Sequence, residues 1–131
     1  MNIVIDTSAI IAVILGEPER NSIIEITTGA TLIAPESVYW EIGNAFSAMF
    51  KKKKADLEKT KIALSIFEKI PIKYIKEIEL DKSLEISYQA NIYCYDAYLL
   101  RRCLKYHAPL ITLDKKLIQI AKSISVKVLE V

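Results

Sequence analysis

Short apolar runs alternate along this chain with longer segments of helical periodicity. The first run, Ile3-Val4-Ile5, is β-branched and unbroken by polar residues, as expected of a parallel strand covered on both faces. It ends abruptly in Asp6-Thr7-Ser8, and a helix is predicted over residues 9–15, closed by Gly16 with Pro18 beyond to prevent continuation. A second short helix over 18–28 is stopped at Gly29, and 31–34 reads as a second strand. Pro35 is predicted to open the third helix, where its missing N–H costs nothing. Val38, Ile42, Ala45 and Met49 form the apolar stripe of that helix. Phe46 and Phe50 widen the stripe and Trp40 lies nearly opposite, so the helix carries more apolar surface than one core face requires.

The rest of the chain continues the alternation. Helices are predicted over 55–69, 81–90, from 93 or 94 to 106, and 115–123; strands over 72–75, 109–113 and 126–129. Strands alternating with helices imply an α/β fold with a doubly wound, mainly parallel sheet flanked by helices. No repeat, low-complexity tract or linker interrupts it, so a single domain over 1–131 is expected.

Composition narrows the class. A chain of 131 residues with 52% hydrophobic and 26% charged residues is long and apolar enough to bury a genuine core. The longest strictly apolar run, 9–15, falls far short of the roughly 20 residues a membrane span needs. No basic region precedes an apolar stretch at the amino terminus, and Asp6 arrives too early for a secretion signal. A cytoplasmic location with no membrane partner is the expectation. The pI near 8.4 permits nucleic-acid binding without advertising it, which takes a value above about 9. Cys94 and Cys103 are not a CxxC pair and His107 is the only histidine, so a zinc site is poorly supplied. A metal here is expected to be oxygen-ligated, Mg²⁺ or Mn²⁺.

Four acids are the candidate chemistry. Asp6 and Asp114 each end an apolar strand just before a helix, where function gathers in open α/β sheets. Each position also suits an N-cap. Glu41 lies at the margin of the third helix's stripe, where a solvated glutamate near a helix start is the plainer account. Asp96 falls in line with Leu100, Cys103 and Leu104 on a face expected to be buried, which is costly for a carboxylate unless it is paired, protonated or on a metal. Two carboxylates about 5 Å apart repel by roughly 3 kcal/mol at an effective dielectric near 20. Several together would take up protons unless a cation sits among them. Mg²⁺ removes that penalty and can activate water toward phosphorus. Thr7, Ser8, Asn44 and Thr112 are candidates to orient waters or a ligand, or else ordinary turn and cap residues. Lys115 and Lys116, directly after Asp114, are candidates for phosphate contacts. Lys51 to Lys54 reads as a solvated helix end, Arg101 and Arg102 point away from the Asp96 face, and His107 and the cysteines read as core residues.

Ile5-Asp6-Thr7-Ser8-Ala9, Glu41-Ile42-Gly43-Asn44-Ala45, Tyr95-Asp96-Ala97 and Ile111-Thr112-Leu113-Asp114 together resemble the acidic motifs of PIN-domain ribonucleases, and most closely VapC-type toxins of toxin–antitoxin pairs. The resemblance spans essentially the whole chain. It implies five parallel strands with Asp6, Glu41, Asp96 and Asp114 gathered at the carboxyl edge as catalytic and metal-holding residues. It also implies Mg²⁺- or Mn²⁺-dependent cleavage of RNA, a homodimer, and a cognate antitoxin that covers the site. Tyr93 stands where such proteins often have a small hydroxyl residue, and Arg101 and Arg102 where they often have small ones. Two other functions compete. A haloacid-dehalogenase-like phosphatase also starts with a strand-end Asp, but wants a second acid where Ser8 stands. A PIN-like domain that binds RNA or protein without cutting is the non-enzymatic alternative.

Overall fold

The computed structural model describes all residues, Met1–Val131. β1 (Asn2–Ile5), β2 (Thr31–Pro35), β3 (Ile72–Ile75) and β4 (Leu110–Ile111) form a parallel sheet in the order β3-β2-β1-β4. Seven helices flank it: α1 (Thr7–Leu15), α2 (Arg20–Thr27), α3 (Ser37–Lys51), α4 (Leu57–Phe67), α5 (Leu80–Ala90), α6 (Cys94–Tyr106) and α7 (Lys115–Ser123). α1 packs on α2, α3 and α4, whereas α6 lies over β1 and β2 and carries α5.

β1 is central because Ile3, Val4 and Ile5 are all buried, which only a strand paired on both edges and covered on both faces permits. Full burial of each such side chain contributes about 1.5–3 kcal/mol. The strand order reverses at β1, since β2 and β3 lie on one side of it and β4 on the other. That places a crevice beyond the carboxyl ends of β1 and β4. Gly16 ends α1 in the left-handed conformation at φ 70°, its N–H donating to the carbonyls of Ala12 and Val13.

Three expectations are corrected. The fifth strand is reduced to a single parallel bridge, Leu110 with Val128, so the sheet has four strands. β4 is too short to pair further, because after Ile111 the chain turns toward Asp6 through Thr112. Pro35 does not open α3; it ends β2 opposite Ile75, and the helix begins two residues later, with the Glu36 N–H donating to the Ile75 carbonyl. His107 is exposed rather than core: it is the left-handed cap of α6 at φ 51°, which lifts its side chain off the buried face. Arg102 is fully buried, held by Glu79 and by the carbonyl of Glu77, where the helix wheel marked it only as facing away from Asp96. Cys103 is a core residue as expected, and burial pushes its thiol up to about 12.

Candidate functional site

The ends of β1 and β4 are tied together through hydroxyls. Asp6 Oδ1 accepts from the Ala9 N–H at 3.0 Å and from Ser8 Oγ at 2.7 Å, and Oδ2 accepts from Thr112 Oγ1. Ser8 Oγ in turn accepts from the Leu113 N–H at 2.9 Å, and Thr112 Oγ1 from the Asp114 N–H at 3.0 Å. Both strand-end acids therefore serve as N-caps, Asp6 for α1 and Asp114 for α7. Capping is only part of what Asp6 experiences, because it is buried, and burial raises its pKa against the pull of Thr112, Ala9 and Ser8. Asp114 stays exposed, with Oδ1 accepting from Lys116 and Leu117 N–H groups at 2.9 and 3.2 Å.

α3 and α6 bring the other two acids to the same place. Asp6, Glu41, Asp96 and Asp114 line one open cavity of about 470 Å³ together with Thr7 and Ser8. Burial pushes Glu41 up to about 6, and the charges of Asp96 and Asp6 add to it; nearby Ser37 and Thr7 hydroxyls moderate the rise. Asp96 is raised by burial first and by Asp114 second, with Lys116 opposing. Among the groups that shift these acids most, only Lys116 is a cation.

This polarity is unfinished. Glu41 Oε2, Thr7 Oγ1 and Ser37 Oγ are buried without a well-formed hydrogen bond, as is Arg102 Nε elsewhere, although both hydroxyls lie close enough to Glu41 to lower its pKa. Orphaned buried polar atoms are rare and costly, about 1–3 kcal/mol each, and are met by ordered water, a ligand or a small shift toward one another. Hard carboxylate and hydroxyl oxygens suit Mg²⁺ or Mn²⁺. As the side chains stand, no three of the acids close directly on one point. Mg²⁺ does not need that, because it keeps several waters and is commonly bound through one or two carboxylates.

The remaining candidates divide. Ser8 and Thr112 are bonded directly to Asp6, and Thr7 lines the acid cavity, but Asn44 lines an adjoining groove instead. Lys116 lines a third hollow that includes Asp96, while Lys115 is exposed and lines none of these. Two residues of the site escaped sequence reasoning. Glu17 lines the acid cavity because the left-handed cap at Gly16 turns the chain back there, and no pattern distinguished it from other surface glutamates. Ser37 is buried one helical turn before Glu41, and nothing in the sequence set this serine apart. No helix is long and apolar enough to cross a membrane.

Comparison with known proteins adds a family. A sequence model described as the PIN domain matches residues 3–123. Among solved structures, a chain of VapBC2 from Rickettsia felis, determined bound to a DNA fragment from their promoter, superposes with a TM-score of 0.70 at 20% identity, covering 99% of this chain and 98% of that one. PAE2754 from Pyrobaculum aerophilum superposes with a TM-score of 0.68 at 17% identity, covering 92% and 87%. At such identities the likeness speaks for the fold. No curated protein sequence matches significantly.

Proposed function

Because the chain belongs to the PIN-domain family, we propose that it is a Mg²⁺- or Mn²⁺-dependent endoribonuclease that hydrolyses RNA phosphodiester bonds and serves as the toxin of a VapBC-type pair. The observation that carries this reading is the cavity shared by Asp6, Glu41, Asp96 and Asp114, in which burial raises three of the acids and one Glu41 oxygen lacks a partner. Protonation or a bound cation would relieve such a pocket, and of the two only a cation leaves the acids ionised at neutral pH.

In this reading Asp6, Asp96, Asp114 and Glu41 hold the metal. A bound Mg²⁺ or Mn²⁺ would make water nucleophilic near neutral pH and neutralise charge on the phosphoryl oxygens. The chain's own part is orientation. Ser8, Thr112 and the Ala9 N–H fix both oxygens of Asp6, so that carboxylate reorganises little when substrate arrives. Glu41 Oε2 is left to accept a hydrogen bond from water in the cleft. Lys116, beside Asp96, is placed to contact a phosphate of the strand. The cognate antitoxin and the homodimer belong to the same proposal; the likeness to a chain of a VapBC complex supports the partner.

That no three acids close on one point is the observation favouring a domain that binds RNA or protein without cutting. One experiment separates the two. A panel of labelled RNAs is incubated with Mg²⁺ or Mn²⁺ and the chain, Asp6→Asn or Asp96→Asn. Cleavage by the unaltered chain, abolished by chelator and lowered on the order of 100-fold or more in either variant, is expected. Binding without cleavage under every condition would make it a non-catalytic domain, and cleavage surviving in both variants would put the chemistry elsewhere.

A further inference from the structure

The acid cavity does not end at Glu41. Thr7 and Glu41 also line a second groove of about 660 Å³, whose walls include Trp40, Asn44 and Tyr95. Two of the cleft acids are each preceded by an exposed aromatic: Trp40 before Glu41 on α3 and Tyr95 before Asp96 on α6. Trp40 is 65% exposed and Tyr95 57%, well beyond what packing requires of rings this size. Tyr95 is steadied by an edge contact with Tyr98, ring centroids 6.0 Å apart. The floor on α3 is Ala45 and Ala48, so no side chain fills the space near the rings. Ser37, more than nine-tenths buried, lines this same groove; its hydroxyl and that of Thr7 make no well-formed hydrogen bond, though both lie near Glu41.

We propose that this groove is a nucleobase subsite: one unpaired base of the strand, next to the phosphodiester held at the acids, stacks on Trp40 and Tyr95 while Asn44 and Ser37 meet its polar edge. The proposal rests on the nuclease reading and says where the strand lies. An aromatic face is sequence-tolerant, since every base has one, and an amide and a hydroxyl can add preference by hydrogen bonding. A base inside a duplex would first have to be unpaired and flipped out, so the groove favours an unpaired base. A purely apolar partner surface would offer nothing to the Asn44 amide and the Ser37 hydroxyl that line the groove, whereas a base edge supplies both donors and acceptors.

Trp40 is the only tryptophan in the chain, so its fluorescence reports on this groove alone. The Asp96→Asn chain, which leaves the strand intact, is titrated with oligoadenylate and oligouridylate pentamers, with a pentameric ribose-phosphate strand lacking bases, and with an RNA duplex. The single strands are expected to quench Trp40 saturably, and the base-free strand and the duplex not to. Adding Trp40→Ala or Tyr95→Ala to that chain is expected to weaken pentamer binding, followed by anisotropy of a labelled strand, by roughly tenfold. Trp40→Phe should recover most of the loss. Equal binding by the Trp40→Ala chain, or binding without quenching, would overturn the subsite while leaving cleavage by the unaltered chain untouched. Quenching in a protein that cleaves nothing with Mg²⁺ or Mn²⁺ would keep the subsite and remove the nuclease. A change in sedimentation from dimer to monomer on Trp40→Ala would give the groove to a second copy of the chain instead.

Discussion

Glu79 and Glu41 are both largely covered glutamates, and the fold treats them in opposite ways. Glu79 accepts from Arg101 Nε and Nη2, each at 3.3 Å, and from buried Arg102 at 3.1 Å, with Lys105 at 3.2 Å and Lys82 at 3.6 Å. Hydrogen bonds from Arg101 above all, then Lys105, hold its carboxyl down at about 2 against the opposing effect of burial. Glu41 faces hydroxyls and other acids, keeps one oxygen unpartnered and is pushed up to about 6. The first cluster is closed by the chain's own cations and pins the start of α5, where Glu79 sits at φ 47°, to α6. The second is left open. A charge cluster that the chain neutralises itself is scaffold; one it leaves unneutralised is what the proposed metal site requires.

Substitutions should separate the two clusters by what they damage. Asp96→Asn is expected to lower the cleavage rate on the order of 100- to 1000-fold, since metal-linked charge stabilisation is worth several kcal/mol and each tenfold about 1.36. Metal-free unfolding of the same variant at neutral pH should show equal or greater stability, because a partly buried carboxylate with a raised pKa has been removed. Lost stability there would mean that Asp96 is structural after all. Arg102→Ala should do the converse. It strands the Glu77 carbonyl and uncovers Glu79, so urea unfolding should find about 3 kcal/mol less stability, with the rate per folded molecule kept within about twofold.

Acidity sharpens the contrast further. For Glu41 the folded value of about 6 lies above its ordinary 4.5, so the folded protein keeps the proton longer than the unfolded chain does. Its contribution to metal-free stability is therefore full below about pH 4.5, falls as pH rises toward 6, and levels off above; Asp6 and Asp96 act in the same sense. Saturating Mn²⁺ should reverse that trend. Differential scanning calorimetry at pH 7.5 should show a gain of about 5–10 °C in Tm at a hundredfold excess over Kd, and much less at pH 5. An equal gain at both pH values would mean the ion binds elsewhere. The smallest effect is expected from Lys116→Ala, which should weaken binding of all RNAs alike and reduce the salt slope by about one.

The periodicity of the chain was enough for the order of strands and helices, because buried strands and amphipathic helices write their burial directly into residue type. Ile3 to Ile5 are such a case, and so is the α3 stripe, where Val38 and Ile42 are buried and Ala45 and Met49 half-buried, with Phe46 buried beside them. Asp6, Glu41, Asp96 and Asp114 were legible as acids out of keeping with their apolar neighbours. Sequence had no means to read a position set by meeting. His107 looked like core until a left-handed cap lifted it out, and nothing marked Glu17, which the turn at Gly16 carries to the cleft. Arg102 could be buried only because Glu79, far off in sequence, arrives to bond it.

What the sequence by itself determined is the set of elements and the acids at their ends, since hydrophobic spacing and capping are local physics. Only the tertiary structure decided which charges are neutralised and which are not. Asp6 is fastened to Thr112, Glu79 is closed by arginines, and Glu41 is left with an oxygen unpaired. Electrostatic balance depends on what lies within a few ångströms in space, and the order of residues along a chain does not record that.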